Sequence, residues 1–300
     1  MRLLFFSLLA ATAGAQIKIA VNATTIESAP IFLAERSPGV RLVPVPNGRV
    51  AMMQLLNGSV DAATGSETQA LINSTSEPGI RIIVTLAEAR YRIIARRSSG
   101  IRRVEDLRSK RVTATVNTSS QYFLGEMLRT AKMLESDVQF VNLEGPAMPA
   151  ALKRGDVDAV AIWEPHAQNS LEALGKDAIE LKNPSVYSER FNLNTTTSVL
   201  RDPEKRRALV GFLSDVRRAS GRARSQPHQA VTFLAPAINA PERTIQRVWR
   251  QFRFPASLPD DLPTVLAGVE TFVAATQNRQ PRSGAALTAL IDASLLSEAK

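Results

Sequence analysis

Asn117-Thr118-Ser119-Ser120 stands between the apolar run Arg111–Val116 and a helix-forming stretch that opens with Gln121 and Tyr122. Hydroxyls and free backbone N–H groups at a helix N-terminus favour an anionic head group such as a sulfonate or carboxylate. The same residues also suit a plain helix cap. Asn22, Thr24 and Thr25 form a matching polar turn, and Thr64-Gly65-Ser66 a third, in which Gly65 permits close backbone approach. Trp163, one of two tryptophans, directly follows an apolar strand; it suits either a ligand wall or core packing. Glu67 and Glu164 occupy equivalent points of two similar segments. Each is placed to meet a cationic or hydrogen-bonding part of a ligand, or else to complement the charge of a helix start. The two histidines, His166 and His228, have no assignable Ser, Cys or Asp partner, and no glycine-flanked serine elbow occurs. No His/Asp/Glu cluster has metal-ligand spacing. These residues describe binding: neither catalytic residue, metal nor cofactor is expected.

The elements that must position them are set by an internal repeat. Leu55, Gly58, Val60, Asp61, Ala62 and Glu67 recur 97 residues later as Leu152, Gly155, Val157, Asp158, Ala159 and Glu164. About one identity would be expected from residue frequencies in such a window. Each copy reads as the end of an amphipathic helix, a glycine stop, a short buried strand (Val60–Ala63 and Val157–Ile162) and a polar turn. Before the first copy lie strands at Ile17–Val21 and Val40–Val45 with a helix between them, begun by Ser28 and Pro30; Ile80–Leu86 follows it as a strand. A β-α-β-α-β succession predicts a mostly parallel sheet. From Tyr91–Arg96 onward the pattern starts again, with a helix at Val104–Ser109, strands at Arg111–Val116 and Val138–Leu143, and a helix at Gln121–Leu134. The stretch from Pro203 on is helical. Passages near 88–92 and 185–198 are expected to link two α/β lobes, with ligand held beyond the carboxyl ends of their strands.

At 300 residues the chain can build two ordinary cores, and its 44% apolar and 5% aromatic composition is that of a globular protein. Met1-Arg2, the apolar run Leu3–Ala11 and Ala13-Gly14-Ala15 read as a signal peptide over 1–15, too short to span a bilayer. A soluble periplasmic or extracellular product is expected, and the absence of cysteine removes both disulfides and a lipid-anchoring thiol. The formal charge of +9 is spread along the chain without aromatic interleaving, so a solvated surface rather than nucleic-acid binding is expected. Five N-x-Ser/Thr sequons occur, at Asn22, Asn57, Asn73, Asn117 and Asn194; two fall in the polar turns, where glycans would obstruct a ligand.

The helix-glycine-Val-Asp-Ala unit at Leu55–Ala62, the run from Glu105-Asp106-Leu107 through Arg111–Val116 into Asn117–Ser120, the second unit at Leu152–Ala159 and Ile162-Trp163-Glu164-Pro165-His166 together carry a resemblance. In order and spacing they resemble the solute-binding proteins of ABC transporters, of the nitrate/sulfonate/taurine type related to thiamine-pyrimidine-binding proteins. The resemblance extends over essentially the whole chain after the leader. It implies a type II periplasmic-binding fold with a hinge and a helical tail, residues 16–90 and 195–300 in one lobe and 91–194 in the other. It also implies a monomer that captures a small organic anion and delivers it to a membrane permease. A pyrimidine or other heterocycle, or a secreted eukaryotic scavenger without a permease, is the alternative. The related pyrimidine synthases depend on a cysteine-rich segment, and this chain has no cysteine.

Overall fold

The computed structural model describes residues 16–300 apart from Glu35 and Lys300. The expected leader at 1–15 lies outside the described residues. Two five-stranded sheets organise the described residues. The first contains β1 (Ile17–Asn22), β2 (Val40–Val45), β3 (Ala62–Ser66), β4 (Ile80–Ala89) and β10 (Glu189–Thr196) in the order β2-β1-β3-β10-β4. The second contains β5 (Arg92–Arg96), β6 (Arg111–Ala114), β7 (Gln139–Asn142), β8 (Ala159–Ile162) and β9 (Ala178–Leu181) in the order β7-β6-β8-β5-β9. The layouts are the same. In each, three strands are parallel, and a strand from across the molecular waist is inserted antiparallel beside the third.

That inserted strand departs from the predicted β-α-β-α-β sheet: β4 pairs with β10 rather than β3. The chain passes between sheets at Arg90-Tyr91 and again between Leu181 and Glu189. It re-enters the first sheet at Glu189, ahead of the expected return at 195. The whole of β10 is buried, so its alternation of Phe191 and Leu193 with Asn192 and Asn194 faces protein on both sides.

The repeat has a structural cause. α2 (Gly48–Leu56) and α5 (Met148–Arg154) each end before a glycine with positive φ, +73° at Gly58 and +84° at Gly155. The following aspartate clamps the neighbouring strand. Asp61 accepts the Lys18 backbone N–H at 2.8 Å while its own N–H reaches the Lys18 carbonyl at 2.8 Å; Asp158 treats Arg111 identically, at 3.0 and 2.8 Å. Because the aspartates are clamps, the strands begin after them, at Ala62 and Ala159 rather than at Val60 and Val157. Thr64, Gly65 and Ser66 consequently lie in β3, not in a turn.

α1 (Ala29–Leu33), α2 and α3 (Glu67–Asn73) cover the first sheet, and α4 (Ser119–Thr130), α5 and α6 (His166–Leu174) the second. The predicted helix at Val104–Ser109 is a single 3-10 turn, Val104–Leu107. In the tail, α7 (Thr197–Arg201), α8 (Pro203–Ser225), α9 (Pro227–Ala237) and α10 (Glu242–Val248) follow β10. Leu209, Phe212, Leu213 and Val216 of α8 join Ile17, Ile19 and Val21 in the first core. Each contributes about 1.5–3 kcal/mol by burial. α11 (Leu262–Thr276) instead packs on α3 and shares a core with Tyr91 and Tyr122, so the tail touches both halves. Among the described residues no helix is long and apolar enough to cross a membrane.

Candidate functional site between the sheets

The carboxyl ends of β1, β3 and β8 and the start of α4 meet at one small cavity, about 30 Å³. Water-sized groups need roughly 10–15 Å³ of such space each, so the cleft is nearly shut. Of the predicted residues, Asn22, Thr25, Ser66, Thr118, Ser119 and Trp163 line it, with Glu27, Arg49, Gln69, Tyr91, Glu189 and Phe191 added by the fold. A larger groove of about 690 Å³, walled by Trp249, Phe252 and Phe254, belongs wholly to the helical tail and holds none of the predicted residues.

Several predicted residues face other tasks. Thr24 donates to Asn22 Oδ1 and to the Pro46 carbonyl, both at 3.0 Å. Thr64 Oγ1 accepts the Asn22 N–H at 2.9 Å and is fully buried. At Gly65 a methyl group would stand 3.3 Å from Gln69 Cβ and 3.4 Å from Met52 Cγ, so the glycine admits the neighbouring helices, not a ligand. Asn117 is exposed at φ +56°, and its carbonyl accepts from Gln69 Nε2 at 2.7 Å. Ser120 Oγ turns inward, donating to the Ala161 carbonyl at 2.7 Å and accepting the Thr115 N–H. Asn22 and Asn194, two of the sequon positions, are buried.

Glu67 and Glu164 are equivalent in structure as in sequence, and neither lines the cavity. Glu67 accepts the Tyr187 hydroxyl and the Arg190 N–H; Glu164 accepts Arg92 Nε at 2.6 Å and the Gln168 N–H at 3.0 Å. Each therefore ties its strand–helix junction to the inserted strand of its sheet. Burial raises both carboxyls, opposed at Glu164 chiefly by the Arg92 charge and at Glu67 by the Tyr187 hydrogen bond.

The acids that do line the cavity are Glu27, in the 3-10 turn Ile26–Ser28, and Glu189, the first residue of β10. Glu189 Oε1 accepts from Tyr91 at 2.7 Å and from Ser119 at 2.8 Å. Glu27 Oε2 is bonded to the Thr25 hydroxyl, whereas its Oε1 is buried without a partner among the described residues. Burial, then the Glu67 charge, pushes Glu189 up to about 8. Burial, then Glu189, raises Glu27 as well. Nothing local in the sequence marks these two: 162 residues separate them, and Glu27 reads as an ordinary first-turn acid. Trp163 stands 6.1 Å from both the Tyr91 and His166 rings, and among the described residues its Nε1–H is also buried without a partner.

Contacts across the cleft close it. Arg49 and Asn47 reach Glu144 at 2.7 and 3.2 Å, and Thr25 Oγ1 donates to the Glu164 carbonyl at 3.3 Å. Beside Trp163, burial holds His166 down to about 4, so this ring is neutral.

A family model described as NMT1/THI5 like matches residues 37–230. The chain belongs to the NMT1/THI5-like family. An Escherichia coli (strain K12) relative named for binding aliphatic sulfonates is 28% identical over 257 residues, 83% of this chain and 75% of the relative. The crystal structure of the periplasmic aliphatic sulphonate binding protein SsuA from Escherichia coli superposes with a TM-score of 0.75 at 19% identity, covering 90% of each chain. The periplasmic nitrate-binding protein NrtA from Synechocystis PCC 6803 gives 0.78 at 12% identity, covering 95% of this chain and 88% of that one. The NMT1/THI5-like chain thus has the periplasmic-binding fold, two sheet-bearing lobes and a helical tail.

Proposed function

We propose that this protein is an exported solute-binding protein. It captures one small organic solute in the inter-sheet cleft and hands it, unchanged, to an ABC-type membrane permease. One observation carries the reading: strand ends from two like sheets converge with α4 on a single polar cavity, and hydrogen bonds across that cavity hold the sheets together. Such lobes close around ligands by hinge motion. The two crossings at Arg90-Tyr91 and 182–188 are the hinge, and the protein works as a monomer. The relatives are named for small solutes, aliphatic sulfonates and nitrate. Trp163 and Phe191 supply apolar wall, and Asn22, Ser66, Gln69 and Ser119 the polar contacts, the usual mixture in small-molecule sites.

The test is small-angle scattering with native mass spectrometry on the leader-free protein. Compaction on solute addition and recovery of the solute intact are expected. A converted product at catalytic turnover, or scattering indifferent to every solute tried, overturns the reading.

A further inference from the structure

The cleft offers carboxyls where a sulfonate needs a cation. Glu27 and Glu189 both line the cavity, and among the described residues neither has a lysine or arginine within ion-pair distance. The only cation on the lining, Arg49, is already paired with Glu144. The features expected to hold an anion are also engaged. Ser119, at the first turn of α4, donates to Glu189, and Thr118 Oγ1 accepts the Ser120 N–H at 3.2 Å. At the start of α3 the protein's own Glu67 occupies the corresponding place.

Two buried carboxyls facing one space, one with an oxygen lacking any donor, leave polar capacity that a buried site satisfies only by gaining a hydrogen-bonding partner. A carboxylate can only accept, so the missing partner brings N–H groups, and a positive charge offsets the repulsion between the acids. Independently, the unpartnered Nε1–H of Trp163 asks the same solute for an acceptor atom.

We propose, on the reading of this cleft as a solute site, that Glu27 and Glu189 hold the protonated nitrogen of a small amine or amidine, and that this nitrogen rather than an anionic group is the recognised end. Thr25, Tyr91 and Ser119 orient the two carboxyls from behind, and Trp163 meets the remainder of the solute. The raised affinity of both acids for protons in the empty cleft means that a cationic solute displaces protons as it binds.

Three probes separate the possibilities: ethylammonium, ethanesulfonate and 2-aminoethanesulfonate, which carries both groups. Calorimetry at neutral pH should give binding of the two amines at least about tenfold tighter than ethanesulfonate. The heat should vary with buffer ionisation enthalpy, as proton release requires. Glu27→Gln and Glu189→Gln should each weaken the amines about tenfold or more and leave ethanesulfonate unweakened. The unliganded melting temperature of both variants at pH 8 reports that they fold. Ethanesulfonate binding as tightly as the amines, strengthened by Glu189→Gln, overturns the proposal while leaving solute capture intact. Thermal stability and scattering unmoved by all three probes overturn capture itself.

Discussion

At the scale of single residues, the site is a set of polar groups whose partners are mostly already chosen. Trp163 is the exception among the large side chains, because it lines the cavity and has an unsatisfied N–H. Trp163→Ala should weaken solute binding by about 1–3 kcal/mol, read by calorimetry, as expected for losing one aromatic contact surface. Ser120→Ala should change stability rather than affinity, since its hydroxyl joins the Thr115 N–H to the Ala161 carbonyl. Glu189 makes the pH dependence specific. Burial raises it from 4.5 to about 8, with the Glu67 charge adding repulsion and Tyr91 and Ser119 opposing the shift. The unfolded chain then loses this proton first. Its contribution to stability is complete below about pH 4.5 and is lost as pH rises to about 8. Melting temperature should fall across that window in the unliganded protein, and the fall should flatten in Glu189→Gln. The polar turns after β1 and before α4 were legible because hydroxyls next to an apolar run are a local signal. Glu27 and Glu189 were not, because their meaning arises only when β10 is inserted beside β3.

At the scale of elements, the duplicated unit explains both what was legible and what was displaced. Helix, glycine stop, strand and their pairing into two like lobes follow from local propensity and periodicity, and they are found. The strands start two positions late because Asp61 and Asp158 are spent on the neighbouring strand's first peptide, a long-range hydrogen bond that periodicity does not register. Asp61→Ala and Asp158→Ala should each cost about 1–3 kcal/mol in urea denaturation, the penalty for orphaning a buried peptide N–H. Asp158→Ala should be the larger, since its carboxylate also takes the Arg111 guanidinium through two nitrogens and Ser99, whereas Asp61 adds the single Lys205 ammonium at 2.8 Å. Equal tolerance of both substitutions would show that the repeat is retained for something other than the clamp. The antiparallel place of β10 was hidden for a related reason: a fully buried strand looks alike in either direction.

At the scale of the whole molecule, the rim of the cleft carries its own latch. Arg49 and Asn47 on one side meet Glu144 on the other, with the ion pair at 2.7 Å and both side chains about two-fifths exposed. Such a pair contributes about 0–1 kcal/mol, so Glu144→Ala should shift the open–closed balance by up to roughly fivefold without unfolding either lobe. A larger radius of gyration in the unliganded variant and faster solute dissociation in stopped flow are the expected readings. Unchanged dissociation would mean that the buried bridge from Thr25 to the Glu164 carbonyl carries closure without the rim pair.

The insertion of β10 also dictates an order of assembly. Every strand of the second sheet lies in the continuous stretch Arg92–Leu181, whereas β4, ten residues long, finds its partner only in Glu189–Thr196, beyond the far side of that stretch. Closing so long a loop before the pairing is rewarded slows the first sheet relative to the second. Although its strands come first along the chain, the N-terminal lobe is therefore the last to be completed. Until then, the apolar edge of β4 and the faces that α8 later covers are open to other chains. Pulsed hydrogen exchange during refolding should show β6 and β8 protected before β1 and β4. The vulnerable interval is set by how soon the strand beginning at Glu189 finds its slot.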